Sequence, residues 1–473
     1  MKHYLWLVFF ILLLSICSLF LEQAEIESAS LQTAMEVIDY LILALLLLET
    51  GISFSAAKYK ELFFQENWYS LLFLGVFLLL FVSNKYMTPG NLQRITGNLS
   101  YVVILVRSVF LLLKIYGRLV KLSRYLEGFS VHPAQTILLS FLLVILTGSL
   151  LLMMGFTTMD GKGLSFIDAL FTATSAVCVT GLIVVDTATH YTFWGHVVIL
   201  ALIQIGGLGI MILSFFAIFT LRKRVTLKDK LLLSYMLSEE DMSSLAKTLS
   251  SIVLTTLVIE VSGAFLLFIK FSSVNGAGWE TAFSAIFHAV SAFCNAGFAL
   301  YSNSLESFRQ DPLILGIVAL LIMLGGIGFS TLTNLREFLK HVRLRKGRKA
   351  GVPSLTLNSR LVLKYTGWLI LTGMGLVYLL EHAHTMKSYR LGEQYLSAFF
   401  QSVTLRTAGF NSIPFGSLRE ATYLIMILFM FIGAASGSTA GGIKVNTFAV
   451  INASITSYLK NRKDVVIETH TVP

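Results

Sequence analysis

The sequence predicts an all-α polytopic membrane protein in which helix, pore-loop and helix units repeat around a pseudo-symmetric pore, preceded by a four-helix transmembrane block. Hydrophobic residues make up 55% of the 473 residues and charged residues 13%, so no stretch is polar enough for a separate soluble domain. A glycine turn occurs three times, with its glycines 116 and 112 residues apart, and each copy follows an apolar segment too short to span a bilayer. Composition and repetition together indicate the fold class.

The first part of the chain, residues 1–130, contains four apolar stretches that predict transmembrane helices. They lie at about residues 4–20, 35–57, 67–83 and 98–121. We interpret the first as an anchor helix that stays in the protein, with a cleaved signal peptide as the alternative. Counting the helical rise from the outer ends places Asp39 at a similar depth to Arg107, and Glu49 at a similar depth to Lys114. Two buried ion pairs between helices indicate a structural or docking block rather than a voltage sensor.

Three repeats follow, and each contains a long apolar helix, a half-length helix, a glycine turn and a second long apolar segment. We divide them at 131–235, 236–350 and 351–473. The predicted half-length helices run over 168–177, 280–293 and 394–405, and the second helices of the first two repeats over about 194–220 and 312–335. These two second helices contain Gly-Gly pairs, Gly206 with Gly207 and Gly325 with Gly326, which predict close packing of helix backbones.

The glycine turns have the chemistry to bind a dehydrated monovalent cation. Backbone carbonyls can replace the water shell of a cation only where the chain adopts conformations that a Cβ forbids, and glycine permits these. The half-length helices direct the negative ends of their dipoles at the turns, which favours a cation over an anion. The candidate filter residues are Val179, Thr180, Gly181, Leu182, Asn295, Ala296, Gly297, Phe298, Thr407, Ala408, Gly409 and Phe410.

The last apolar crossing is interrupted at residues 433–442 by glycine and other small residues. Outward-facing segments precede this crossing and basic residues follow it, so one crossing with a break in its middle fits the pattern. An interrupted backbone at membrane depth is tolerated only inside protein or against a water-filled cavity, and a tightly packed small-residue crossing is the alternative. The residues that define the break are Gly433, Gly437, Ser438, Thr439, Gly441 and Gly442.

The distribution of charge predicts the orientation of the chain. Basic residues concentrate in segments 222–230 and 336–349 and again at 460–463, which places these segments and the C terminus in the cytoplasm and explains the net charge of +10 without a nucleic-acid partner. Acidic residues then lie at the outer mouth of the filter, where they concentrate cations or form an ordinary solvated loop. These acidic residues are Asp160, Asp168, Asp186, Glu280, Glu306 and Asp311. The three cysteines are isolated and indicate neither a disulfide framework nor a zinc site.

Four segments resemble a known family: S-A-V-C-V-T-G-L-I-V-V-D-T, L-I-Q-I-G-G-L-G, F-H-A-V-S-A-F-C-N-A-G-F and R-T-A-G-F-N-S. In them the chain is similar to the potassium-translocating subunits of the Ktr/Trk superfamily, most of all to the KtrB-like subunits, over roughly residues 131–460. The resemblance implies potassium uptake across the plasma membrane through a ring of single glycines, with the loop at 433–442 as an intramembrane gate. The potassium ligands implied by motif are the backbone carbonyls of Thr180, Gly181, Ala296, Gly297, Ala408 and Gly409.

The resemblance also implies partners. Subunits of this kind work as homodimers on a cytosolic ring of nucleotide-binding regulatory subunits, and the two basic segments are candidate docking surfaces. No cofactor is implied beside potassium, which is the substrate. The family has four repeats, and the sequence after Lys463 holds no counterpart of the fourth, so we expect a truncated gene or partial sequence, or a separate chain that supplies the last quarter.

Two other functions remain open, and a third is the weakest candidate. A sodium- or proton-coupled symporter shares the same filter, and a non-conducting regulatory or assembly subunit fits the missing repeat and the added N-terminal block. An intramembrane enzyme is not indicated, because His288 and Ser291 share one half-length helix but no nucleophile or metalloprotease motif accompanies them.

Overall fold

A computed structural model describes residues 133–209, 245–344, 355–461, 464–467 and 470–472, together with isolated positions between 41 and 75. Apart from those positions, the block predicted for 1–130 lies outside the described residues, as does the basic segment 222–230. The chain divides into two compact units. The larger unit holds Thr136–Leu152 and Ser165–Pro473, and so contains all three glycine turns.

The smaller unit contains the described segment Met153–Leu164. A single turn of 3₁₀-helix, Gly155–Thr157, forms there, and the Thr157 hydroxyl donates to the carbonyl of Met154 at 2.7 Å. The amide of Gly163 donates to the Thr158 hydroxyl at 2.8 Å. Threonine hydroxyls therefore add a second hydrogen bond to the carbonyl of Met154 and supply the acceptor for the amide of Gly163.

The described residues of the chain are predominantly helical, which confirms the predicted all-α class. In chain order the helices are α1 Pro133–Leu152, α2 Phe166–Val177, α3 Thr187–His190, α4 Phe193–Leu208, α5 Leu245–Asn275, α6 Trp279–Phe293, α7 Pro312–Gly326, α8 Phe329–Leu344, α9 Leu357–Glu381, α10 Leu391–Thr404, α11 Glu420–Phe431 and α12 Val445–Leu459. Several begin at the capping residues that such starts favour, since Ser165, Thr192 and Thr356 each accept a hydrogen bond from a first-turn amide.

Helix lengths separate spanning helices from half-length ones. Among the described residues, Ser250–Val274 within α5 and the whole of α9 are long and apolar enough to cross a membrane, and α7 with α8 gives a third span if that bent pair is counted as one. Helices α2, α6 and α10 have 12, 15 and 14 residues, against about 20 for a spanning helix. The predicted half-length helices are therefore present in all three repeats.

The helix predicted over 312–335 is bent rather than continuous. Helix α7 ends at Gly326, α8 begins at Phe329, and the two are bent by 106°. Gly328 has a φ of +84°, and a Cβ there would lie 2.7 Å from the carbonyl oxygen of Ser436, so glycine is required. The matching motif of the first repeat also ends a helix, because α4 stops at Leu208 and Gly209 has a φ of +76°.

The predicted interruption of the last crossing is present. Helix α11 ends at Phe431 and α12 begins at Val445, and the intervening loop closes at its base through a parallel bridge between Ile432 and Ile443. A Cβ on Gly433 would lie 1.8 Å from the carbonyl oxygen of Gly441, so the backbones of the two sides of the loop are in direct contact. We refer to residues 432–444 as the break loop.

A short hairpin near the C terminus was not predicted. Strand β1, Val465–Ile467, pairs antiparallel with β2, His470–Val472, and Val465 lies opposite Val472. Three residues per strand are too few to produce a recognisable alternating pattern, so no strands were predicted there.

Two apolar clusters pack around the half-length helices of the second and third repeats. One cluster of buried residues joins α5, α6 and α7 to Phe400 and Val403 of α10, and a second joins Ala398 and Leu405 to Val377 of α9. Helix α10 is therefore held on two sides by packed side chains, which fixes the position of the turn that follows it.

Candidate functional site

The three glycine turns share one backbone conformation. The first and third residues of each turn have positive φ: Val179 (+55°) and Gly181 (+79°), Asn295 (+59°) and Gly297 (+72°), Thr407 (+65°) and Gly409 (+86°). A β-branched residue in this region is an outlier, and such strain costs about 1–3 kcal/mol and persists only where the surroundings impose it. Val179 and Thr407 both carry it, so the repeated conformation is imposed by the fold rather than by the local sequence.

The turns converge on one another in the larger unit. A Cβ placed on Gly181 would lie 2.5 Å from the carbonyl oxygen of Ala296, and one on Gly297 would lie 2.6 Å from the carbonyl oxygen of Ala408. A Cβ on Gly409 would lie 3.2 Å from the α-carbon of Gly297. The backbone carbonyls of neighbouring turns therefore lie beside glycine α-carbons, and no side chain fits between them.

Each half-length helix ends directly at its turn. The amides of Thr180 and Ala296 donate to carbonyls within the preceding helix, at Ser175 and Ser291, both at 2.8 Å, and Ala408 donates to Thr404 at 2.9 Å. Three helix C termini thus point at the place where the turns meet, and their partial negative charges favour a cation there.

His288 and Ser291 brace the segment that follows the second turn. The Ser291 hydroxyl donates to the carbonyl of Phe298 at 2.7 Å, and His288 Nε2 accepts from the amide of Leu300 at 3.3 Å. His288 Nδ1 lies 2.7 Å from the carbonyl of Ser284 on its own helix. Both side chains bond to backbone, so they position the turn.

The Gly-Gly pairs pack against the ends of the half-length helices, as predicted. A Cβ on Gly206 would lie 2.0 Å from the carbonyl oxygen of Val177, and one on Gly325 would lie 1.8 Å from that of Phe293. A Cβ on Gly207 would lie 2.4 Å from Cys294 Sγ, so the first repeat's α4 also contacts the second turn.

The break loop contacts the second and third turns directly. Asn295 donates to the Thr439 hydroxyl at 2.7 Å, and that hydroxyl donates to the carbonyl of Phe293 at 2.9 Å. The amide of Gly441 donates to the Thr407 hydroxyl at 3.0 Å. Four hydrogen bonds hold the loop against the turns, since the Arg406 guanidinium also donates to the carbonyl of Gly433 at 3.2 Å.

The same loop is bonded to the bend between α7 and α8. The amide of Ala435 donates to the carbonyl of Gly326 at 2.9 Å, and the amide of Phe329 donates to the carbonyl of Gly437 at 3.1 Å. These bonds satisfy the backbone groups that the helix break exposes. The bend and the loop therefore form one hydrogen-bonded structure across the second and third repeats.

A buried carboxylate lies behind the second turn, and the sequence analysis did not single it out. Glu260 of α5 is 5% exposed and accepts from Gln204 Nε2 of α4 at 3.1 Å. Cys294 Sγ lies 3.9 Å from its other oxygen. Its position as a lone glutamate in a long apolar helix is the sequence feature that could have identified it as a functional residue.

The half-length helices differ on one face, which sequence reasoning also missed. Counted from the turn glycines, alanines of the first two repeats correspond to polar residues of the third. The matching positions are Ala169, Ala173 and Ala176, then Ala285, Ala289 and Ala292, then Ser397, Gln401 and Thr404. All nine are buried, and within the described structure the side-chain polar atoms of the last three have no hydrogen-bond partner.

Hydrogen bonds link the segments that follow the turns. The amide of Leu305 donates to the carbonyl of Asn411 at 3.0 Å. Burial raises the pKa of Asp186, but hydrogen bonds from Ser302, Ala188 and Thr189 outweigh it, so that pKa lies below its ordinary value. Burial raises the pKa of Glu306, against the lowering effects of Asn411 and Arg309.

The comparisons with known proteins agree with this architecture. A family model described as TrkH, cation transport protein, matches residues 126–472. The Ktr system potassium uptake protein B of Bacillus subtilis (strain 168) is 40% identical over 340 residues, which cover 71% of this chain and 73% of that protein. The potassium/sodium uptake protein NtpJ of Enterococcus hirae is 37% identical over 334 residues, covering 70% and 71%.

A solved structure supports the fold independently of sequence. The crystal structure of the potassium transporter TrkH from Vibrio parahaemolyticus matches with a TM-score of 0.55 and covers 85% of this chain and 77% of that one. The two sequences are 17% identical over this match, so the likeness concerns the arrangement of helices.

Proposed function

Because this chain belongs to the TrkH family of cation transport proteins, we propose that it takes up potassium across the plasma membrane through a filter formed by its glycine turns. The observation that supports this most is the convergence of the three turns, in which the carbonyls of Ala296 and Ala408 lie against glycines of the neighbouring turns. Carbonyl oxygens at the ends of three helix dipoles are the groups that replace the water shell of a cation.

The break loop is the proposed gate. It is bonded to Asn295 and Thr407, which belong to two of the turns, and its own glycines leave room for a change of conformation. Uptake in this proposal is limited by how often the loop leaves the turns. Ion preference is set in the turns themselves.

Potassium uptake is tested by expressing the full-length protein in a bacterium that lacks its own potassium uptake systems. We expect growth at low potassium and uptake with a preference for potassium over sodium. Gly181→Ser should weaken that preference while membrane expression is retained, because the added side chain would meet the Ala296 carbonyl. Unchanged affinities for both ions in the variant would remove Gly181 from the filter, and failure of the wild type to support growth would favour an assembly subunit.

Sodium coupling is the second candidate, and one of the similar proteins is itself named as a potassium/sodium uptake protein. Potassium uptake measured with and without external sodium separates the two functions. A coupled symporter loses potassium uptake when sodium is replaced by a larger organic cation, whereas a pore retains it.

We extend the proposal to assembly as a homodimer with a cytosolic nucleotide-binding partner. On α8, Arg336 and Lys340 are exposed and lie one helical turn apart, so they form part of a basic surface. Neutralising both should reduce co-purification of the partner with membrane topology unchanged. Undiminished co-purification would leave these residues as topology signals only.

A further inference from the structure

We infer that Glu260 supplies a fixed negative charge behind the second glycine turn, for which the transported cation is the counter-ion. The inference rests on the proposed function, because it assigns a residue to the affinity of the same filter. The Glu260 carboxylate belongs to α5 and lies outside the turns and the break loop.

Glu260 lies in the middle of a membrane-spanning helix. It is ten residues from the start of the span Ser250–Val274 and fourteen from its end, so about 15 Å of helix separates it from the nearer side. It is 5% exposed, and within the described part of the chain no basic side chain forms an ion pair with it. A buried carboxylate without a counter-ion is costly at this depth and is retained mainly where it has a function.

Among the described residues, the contacts of Glu260 lead to the filter and to no other charged group. Gln204 donates to one carboxylate oxygen at 3.1 Å, and Cys294 Sγ lies 3.9 Å from the other. Cys294 is the residue before the second turn and is wedged against α4, since a Cβ on Gly207 would lie 2.4 Å from its sulfur. The carboxylate is therefore held between Gln204 of α4 and Cys294, the residue that precedes the second turn.

A charge in this position acts on the cation through a medium of low dielectric, where attraction between opposite charges is much stronger than in water. The attraction favours the occupied filter over the empty one. Removing the charge should weaken cation binding, whereas the turn conformations that choose between ions should stay as they are.

The test compares potassium uptake by wild type and Glu260→Gln at matched membrane expression. We expect the half-saturating potassium concentration to rise about fivefold to tenfold, with little change in maximal rate or in the preference for potassium over sodium. Glu420→Gln, which removes an exposed carboxylate at the start of α11, is the matched control and should leave the half-saturating concentration unchanged.

A swap of the hydrogen-bonded pair separates charge from shape. In the double variant Gln204→Glu with Glu260→Gln, the carboxylate moves to the other end of the same hydrogen bond, so we expect most of the lost affinity to return. If Glu260→Gln fails to reach the membrane, Gln204→Lys neutralises the native carboxylate by pairing and should raise the half-saturating concentration equally. Unchanged affinity in an expressed variant, or no recovery in the swap, overturns the counter-ion role, while loss of ion preference in Gly181→Ser would still support the filter.

Discussion

Single residues show where the fold imposes conformations that the local sequence resists. Val179 and Thr407 are β-branched and still adopt positive φ, at the same position of the turn as Asn295. Asparagine tolerates this region better than valine or threonine. The cost is offset by the packing of the half-length helices and of the glycines that follow, so the turns are held in place by their surroundings.

At the same scale, the polar face of α10 makes a direct prediction. Gln401 is buried, and both atoms of its amide lack a partner within the described structure, so Gln401→Met should leave thermal stability unchanged or raise it. Ser402→Ala is the control, because the Ser402 hydroxyl donates to the carbonyl of Ile370 at 2.7 Å, and its loss should cost about 1 kcal/mol. Thermal melts of the purified variants measure both, and a large loss in Gln401→Met would mean that its amide has a partner in the assembled protein.

Asp186 gives a prediction that depends on pH. Its pKa lies below the ordinary value, so it stabilises the fold at neutral pH, and this contribution is lost as pH falls through its folded pKa. Asp186→Ala also removes the cap on α3, where the carboxylate accepts from the amide of Ala188 at 2.9 Å, so it should cost about 1 kcal/mol at pH 7. The cost should shrink in melts below about pH 4, and Asp186→Asn, which retains capping, should cost less. A cost that is independent of pH would assign the effect to shape alone.

At the scale of elements, the break loop is the proposed gate, and side-chain hydroxyls bond it to the turns. Thr439 joins it to the second turn by two hydrogen bonds, and Thr407 joins it to the third by one. We expect Thr439→Val, which keeps the shape and removes the hydroxyl, to raise potassium flux with ion preference unchanged. Ser438→Ala is the matched control, because the Ser438 hydroxyl bonds only within the loop, to the carbonyl of Ala435.

Deleting Ser436 to Ala440 is the stronger form of the same experiment. The deletion removes Thr439 together with the carbonyl of Gly437 that accepts from Phe329, so it frees the loop from the second turn and from the bend. Flux should rise further than in the point variant. Reduced flux at matched expression would identify the loop as a packed crossing, in which shortening creates cavities costing several kcal/mol.

Some elements of the fold were predictable from the sequence and others were not. The half-length helices, the turns and the interruption after Phe431 were predictable, because each rests on a local pattern that is repeated or unmistakable in composition. The bend after Gly326 was not, since glycine in a helix permits close packing as well as a break. The carbonyl of Ser436, more than a hundred residues later in the chain, would lie 2.7 Å from a Cβ on Gly328, so a contact distant in sequence excludes a side chain at the bend.

For the whole molecule, repetition predicted which residues meet but not how the repeats differ. The alignment of the three turns followed from equal spacing. The asymmetries did not, because they depend on contacts between repeats: Gln204 of the first repeat reaches Glu260 of the second, and Asn295 of the second reaches Thr439 in the break loop of the third. The contact partners of such residues cannot be predicted from a single sequence.

The directional contact between turns has a genetic consequence. Each glycine before the last faces the carbonyl of the next turn, with Gly181 against Ala296 and Gly297 against Ala408. A side chain introduced at Gly297 would therefore disturb the backbone of the third turn as well as that of the second. A search for spontaneous revertants of a Gly297 mutant tests this. We expect the compensating mutations to cluster around Thr407 to Phe410 and in the break loop rather than to be spread evenly over the repeats. The positions of the suppressor mutations would then show the order in which the turns contact one another.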